Sequence, residues 1–311
     1  MANTSSIIHL ERIAQLYQWL PKDSMQHPLV AVVDFSKYQE AFQQNIDFTL
    51  GFYALLLKNH CVNKMKYGQQ SCDFDNGSLV CIAPQQTINS GEANISLAEE
   101  VSGWGLFFHP DLLKGTSLSR NIREYTFFDY EINEALHLSE KEKSRLNDIV
   151  ALISRELSEN IDKHSQRLIV SNIELLLNYC MRYYDRQFIT RRATHSDTLA
   201  KVEEILSTYF ADPQCTAQGL PSVKYLADKV CLSPNYLSDL LKKETGMNAQ
   251  DHIHSHLIKE AQYLLTSTNK SVSELAFDLG FDYPQYFFRL FKQKTGVTPN
   301  AYRVEQLKLV N

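Results

Sequence analysis

The 311-residue chain is expected to fold as an α+β protein in two parts: a strand-rich N-terminal half extended by a helical hairpin, and an all-helical C-terminal domain. Three observations predict this. In the first part of the chain, short apolar runs alternate with turn residues. From Ser139 the apolar spacing changes to the i, i+3, i+4 period of amphipathic helices. Further on, a helical motif beginning at Ser222 is written again from Ser271.

The strands come first. FTLGFYALLLKNH (Phe48 to His60) is an aromatic and aliphatic run of strand type. FDNGSLVCIAP (Phe74 to Pro84) opens with Asp75-Asn76-Gly77 turn chemistry and continues as a strand ended by Pro84. VSGWGLFFHPDLL (Val101 to Leu113) is a third, closed by Pro110. Short strands at this spacing predict a β-sandwich or barrel.

The hairpin spans 139–188. Ser139 and Glu142 form a capping box. Leu146, Ile149, Val150, Ile153, Leu157 and Ile161 follow one helical face, and Leu168, Ile169, Asn172, Leu175, Leu176, Tyr179 and Tyr183 a second. An apolar stripe of this kind serves equally a lid on the β-domain or a homodimer interface. Residues 189–197, rich in arginine and out of apolar period, are expected to link the N-terminal domain (1–188) to a helical domain over 198–311.

In that domain SVKYLADKV (Ser222 to Val230) matches SVSELAFDL (Ser271 to Leu279), and a second helix follows each after a short turn. Pro234 aligns with Pro284, Tyr236 with Tyr286, Leu240 with Leu290, and Thr245-Gly246 with Thr295-Gly296. Ser233 suits an N-cap, Pro234 the first helical position, and Gly280 a left-handed helix end. This is helix-turn-helix grammar, whose second helix commonly enters the DNA major groove, although helical hairpins that bind nothing share the pattern.

The outward faces point to DNA. In the second copy Phe287, Leu290 and Phe291 face inward, leaving Gln285, Phe288, Arg289 and Lys292 together on the other side. Arginine pairs bidentately with guanine and glutamine with adenine. Lys292, Lys294 and Arg303 suit phosphates. In the first copy Asn235, Ser238, Asp239 and Lys242 face out, an asparagine able to read adenine and an aspartate able to accept from cytosine. Tyr236, Tyr283 and Pro284 complete the expected DNA-binding set. The helix between the copies, Asn248 to Thr268, is long enough to act as a rod that sets their spacing on one side of a duplex.

These motifs resemble those of the AraC/XylS family of bacterial transcription regulators. The resemblance rests on SVSELAFDLGFDYPQYFFRLFKQKTGVTPNAYR, with Gly280-Phe281, Tyr286-Phe287, Phe291-Lys292, Gly296, Thr298-Pro299 and Tyr302-Arg303. It implies two helix-turn-helix units joined by a linker helix, promoter DNA as the partner, homodimerisation, and contact with RNA polymerase. The N-terminal half resembles the family's cupin-like effector-binding and dimerisation barrel through GFYALLLKNH, GSLVCIAPQQ and GWGLFFHPDLL. Phe52, Tyr53, Tyr67, Phe74, Trp104 and Phe107 are its candidate effector-pocket residues. Two departures stand out. Asp239 lies where members often carry a basic or polar reader, and Leu257 where many carry arginine.

Composition bounds the rest. With 44% hydrophobic and 22% charged residues, the chain suits a globular protein of two domains. No apolar run reaches the ~18 residues of a membrane helix, and MANTSSIIHLERIAQ lacks signal-peptide order, so a cytoplasmic protein is expected. Six scattered cysteines are expected to stay reduced. The net charge of −5 gives no sign of a polyanion partner. From Ser196 onward 12 Lys and Arg face 13 Asp and Glu, so the helical domain is not basic as a whole. Isolated histidines (His9, His27, His60, His109, His137) do not make the cluster a metalloenzyme needs. In HIHSH (His252 to His256) the outer pair has chelating i, i+4 spacing but no evident third ligand. With no P-loop, GxSxG or Rossmann pattern, no catalytic residue, cofactor or metal is expected.

Overall fold

The computed structural model describes residues 7–18, 20, 25–37, 48–58, 66–67, 70–71, 77–88, 102–131, 134–190, 192–212 and 218–310. The chain divides into two compact units, Met1–Gln187 and Phe188–Asn311. Among the described residues, no helix is long and apolar enough to cross a membrane.

The first unit is built on strands β1 (Ile8–Leu10), β2 (Val30–Asp34), β3 (Phe48–Leu50), β4 (Tyr53–Lys58), β5 (Lys66–Tyr67), β6 (Gln70–Ser71), β7 (Ser78–Ile82), β8 (Thr87–Ile88), β9 (Gly103–Phe108) and β10 (Leu136–His137), with single-turn helices α1 (Ile13–Leu16) and α2 (Leu118–Asn121). A five-stranded antiparallel sheet has the order β10-β7-β4-β9-β2, a three-stranded sheet the order β1-β3-β8, and β5 pairs with β6. The expected barrel is therefore not seen. Closure requires the two edge strands to pair, and among the described residues β10 and β2 stay at opposite edges of an open sheet.

The run expected as one strand from Phe48 is two, broken after Leu50. There the Gly51 N–H donates to the Leu10 carbonyl at 2.8 Å. A Cβ on Gly51 would lie 2.6 Å from Glu11 Oε2 and 3.0 Å from Glu11 Cα, so only glycine lets the segments approach this closely. Side-chain alternation then splits the core in two. Phe52, Ala54, Ala31, Val33 and Phe107 pack with Leu10, Ile13 and Leu50. The other face of the large sheet carries Tyr53, Leu55, Leu57, Trp104, Leu106 and Phe108.

That second face meets the hairpin of α3 (Glu140–Ser158) and α4 (Ser165–Thr190). Trp104 Nε1 donates to Asn147 Oδ1 at 2.8 Å. Arg186 ties the hairpin together, its Nε donating to Glu142 Oε1 at 2.7 Å and its Nη2 to the His137 carbonyl at 2.7 Å. The Ser139–Glu142 capping box forms as expected. The apolar faces differ from expectation at the edges. Ile161 is exposed, as are Leu168 and Leu175, while Ile169, Val170, Ile173, Leu176, Leu177 and Cys180 fill the core. The stretch 189–197, expected as a linker, is helical on both sides of position 191, which lies outside the described residues.

The second unit is all helical: α5 (Arg192–Ala211), α6 (Val223–Val230), α7 (Pro234–Thr245), α8 (Ala249–Ser267), α9 (Val272–Asp278), α10 (Pro284–Thr295) and α11 (Pro299–Val310). The 19-residue α8 is about 28 Å long. It packs against α5, α6 and α7 and also against α9 and α11. Its buried stripe is Ala249, His252, Ile253, Leu257, Ile258, Ala261 and Leu265. Leu257 is fully buried, so this position serves the shared core.

Candidate nucleic-acid interface

Helices α6 and α7 form one helix-turn-helix, α9 and α10 the other. The second helices are both 12 residues long, begin at proline and end at a left-handed glycine, Gly246 (φ 78°) and Gly296 (φ 82°). Each first helix starts at a serine cap, Ser222 accepting from Tyr225 N–H and Ser271 from Glu274 N–H. The duplication extends further than the sequence reading took it. After each glycine a third helix begins at a polar cap, Asn248 accepting from Asp251 N–H and Thr298 from Ala301 N–H. The connecting helix α8 and the terminal α11 are thus equivalent members of two three-helix repeats.

Helix α10 places Phe287 and Phe291 in the core, Leu290 half-buried beside them. Gln285, Phe288, Arg289 and Lys292 are exposed at i, i+3, i+4 and i+7, on one face. Tyr283 and Tyr286 are also exposed, their ring centroids 5.9 Å apart. Pro284 occupies the first turn, and Tyr283 provides no side-chain cap. The helix carries Arg289, Lys292 and Lys294 and no carboxylate.

In α7 the equivalent face differs. Asn235 and Lys242 are exposed, and Ser238 and Asp239 half-buried. Asp239 and Glu244 balance Lys242 and Lys243, so this helix has no net charge. Tyr236 does not join the face. It is 1% exposed, with its ring 5.0 Å from Phe188, which covers it. Its equivalent Tyr286 is 52% exposed, so the two tyrosines at one repeat position stand in opposite environments. Sequence alone offered no signal for this, because the covering Phe188 lies far away in the chain.

Two cations expected at phosphates are engaged within the domain. Lys294 Nζ lies 2.9 Å from Asp251 Oδ1, at the start of α8. That hydrogen bond holds the Asp251 carboxyl below its usual range. Arg303 Nε donates to the Leu265 carbonyl at 2.8 Å, satisfying an acceptor in the last turn of α8.

Among the described residues, the three histidines of α8 do not come together with other candidate ligands in a group of three. His252 is buried, and its Nε2 lies 2.9 Å from Thr245 Oγ1, whose proton goes to the Leu241 carbonyl. His254 bonds Gln250 at 2.9 Å. Burial makes His252, His254 and His256 harder to protonate than a free imidazole; Glu203 opposes this at His252 and His256.

Of the six candidate pocket aromatics, the four whose side chains are described divide between the two faces of the large sheet. Phe52 and Phe107 meet edge-to-face at 6.1 Å on one side of the large sheet. Tyr53 and Trp104 lie on the other, Tyr53 stacked on Phe108 at 5.0 Å. The side chain of Tyr67, and all of Phe74, lie outside the described residues.

Comparison with known proteins agrees with the duplicated motif. A family model described as a helix-turn-helix domain matches residues 226–305. The chain is 26% identical over 144 residues to the arabinose operon regulatory protein of Salmonella typhimurium, covering 45% of this chain and 47% of that protein. It is 34% identical over 86 residues to the protein of the same name from Escherichia coli, covering 28% and 30%. The chain thus spans less than half the length of these relatives. Among solved structures, the C-terminal domain of the two-component response regulator yesN from Fusobacterium nucleatum is 29% identical; the match covers 34% of this chain and 98% of that one at a TM-score of 0.30. The paired helix-turn-helix units and the family match over residues 226–305 together make the C-terminal unit of this chain a helix-turn-helix domain, similar in sequence to part of the arabinose operon regulators.

Proposed function

We propose that this chain is a sequence-specific DNA-binding regulator of transcription whose second helix-turn-helix supplies most of the base reading. The observation that carries the reading is the exposed face of α10, where Gln285, Arg289 and Lys292 stand together on a helix without a carboxylate. Gln285 suits an adenine edge, Arg289 a guanine, and Lys292 a phosphate. Tyr283 and Pro284 lie at the N-terminus of α10, which has no side-chain cap and whose dipole favours a phosphate. Asn235, Ser238, Asp239 and Lys242 form the weaker reader of the first unit, its Asp239 restricting it to a cytosine amino group.

The N-terminal unit is read as a cupin-like domain that dimerises through the hairpin. Leu168 and Leu175, exposed two turns apart on α4, with Leu152 exposed on α3, supply apolar surface for a second copy. A small-molecule effector would act by shifting the dimer between DNA-competent and incompetent arrangements. The alternative is a ligand-independent dimeric regulator whose β-domain only dimerises or binds a protein. Contact with RNA polymerase and a cytoplasmic location accompany the regulatory reading.

Selection of duplexes from a randomised library by the full chain tests the central claim. Arg289→Ala is expected to cost ~1–3 kcal/mol on the enriched sequence and to relax preference at one base pair. Lys292→Ala is expected to weaken all sequences alike and lower the salt slope by about one. Failure to enrich any sequence defeats the reading. A uniform loss for Arg289→Ala reassigns that residue to a phosphate.

A further inference from the structure

Phe288 sits in the middle of the polar reading face. It is 37% exposed, one of the exposed large apolar side chains, and shares its face with Gln285, Arg289 and Lys292. The core of the second unit does not require it there. Phe287 and Phe291, its neighbours on the same helix, are both completely buried and form the inward stripe. In the first repeat the equivalent position is Ser238, so the helix-turn-helix frame does not demand an aromatic at this point. The Phe288 ring lies 6.1 Å from that of Phe287, and its exposed part, between a glutamine and two cations, suits a partner that is anionic outside and apolar at one spot within. The major groove of DNA has that chemistry, because the 5-methyl of thymine is its one apolar feature.

We infer that Phe288 is a specificity residue that recognises the 5-methyl group of a thymine, next to the bases addressed by Gln285 and Arg289. This rests on the DNA-reading function proposed above and deepens it. One turn of α10 then carries three distinct readers: an amide for adenine, a guanidinium for guanine and a phenyl face for thymine. The positions i, i+3 and i+4 lie side by side on a helix, so the three bases must be neighbours.

The test uses the full chain and the duplex it enriches from a random library. Each thymine of that duplex is replaced in turn by deoxyuridine, which removes only the methyl group. Binding is followed by fluorescence anisotropy at fixed salt. At one thymine the wild-type chain is expected to lose about fourfold in affinity, the equivalent of uncovering one methyl-sized apolar group. Phe288→Ala is expected to bind the thymine and deoxyuridine duplexes equally at that position, and Phe288→Leu, which restores an apolar side chain, to regain the difference. Because Phe288 lies at the surface, neither variant threatens the core. Identical deoxyuridine profiles for wild type and Phe288→Ala overturn the inference while leaving sequence-specific binding intact. A chain that enriches no sequence overturns the DNA reading and this inference with it.

Discussion

Cys231 and Gly280 close equivalent helices in the same left-handed conformation, with φ of 57° and 89°. Around each the backbone makes the same pair of bonds. Leu232 N–H donates to the Ala227 carbonyl at 3.0 Å, and Phe281 N–H to the Ala276 carbonyl at 3.0 Å. The residues before them, Cys231 and Gly280, donate to Asp228 at 3.4 Å and to Phe277 at 2.9 Å. This double bond pattern turns the chain sharply from first helix to second. Glycine adopts it freely, whereas a residue with a Cβ meets its own following carbonyl oxygen.

Cys231→Gly is therefore expected to stabilise the second unit by up to about 1 kcal/mol, and Gly280→Ala to destabilise it by about as much. Hydrogen exchange at the amides of Leu232 and Phe281 reports each turn directly. Slower exchange in the first variant and faster in the second is the expected pair of results; no change in either would mean the turn tolerates a Cβ.

The Trp104–Asn147 bond joins the large sheet to the hairpin, with the indole 9% exposed. Asn147→Ala leaves the indole N–H without its acceptor, at an expected cost of ~1–2 kcal/mol. In a Trp19→Phe background Trp104 is the remaining tryptophan, so its emission follows the first unit alone. The denaturation midpoint read this way should fall; a midpoint unchanged from the parent would place another acceptor at the indole.

Acid is expected to weaken the second unit before it titrates most carboxylates. His252, His254 and His256 are harder to protonate folded than unfolded, chiefly through burial. Below the free-imidazole value of about 6.5 the unfolded chain therefore binds more protons. Stability from these groups is complete above that pH and is lost as pH falls through it towards the lower folded values. The groups facing His252 are Thr245, Glu203, Asp251 and Lys259. Far-UV circular dichroism in denaturant at pH 7.5 and 5.5 should show a lower midpoint at the acid value. His252→Leu should reduce that difference, and an equal difference in the variant would remove His252 from the account.

Leu175 is 43% exposed on α4, so charge there spares the core and acts on the proposed dimer surface. Leu175→Glu, alone or with Leu168→Glu, is expected to shift sedimentation from dimer to monomer while leaving the circular dichroism unchanged. A wild-type chain that sediments as a monomer at micromolar concentration would remove the hairpin as a dimer surface.

Much of the second unit was legible along the chain because its signals are local. Serine caps, helix-opening prolines, glycine ends and i, i+3, i+4 apolar stripes each act within one or two turns, and Ser233, Pro234 and Gly280 lie where the sequence placed them. The exposed polar face of α10 follows from the same periodicity once Phe287 and Phe291 are turned inward. The strands after Phe48, Gly77 and Gly103 were equally readable, as was the Ser139–Glu142 capping box.

What local pattern left undecided is set by partners distant in the chain. Tyr236 and Tyr286 are the same residue at the same repeat position, yet Phe188 covers one and water reaches the other. Lys294 and Arg303 read along the chain as free cations, yet Asp251 and the Leu265 carbonyl engage them. Phe52 and Tyr53 are adjacent in sequence but feed separate cores, because one packs under β1 and β3 while the other stacks on Phe108 towards the hairpin side. Periodicity tells which residues share a face; what covers that face depends on segments brought together only by folding, and burial rather than residue type then decides which side chains remain available to a partner.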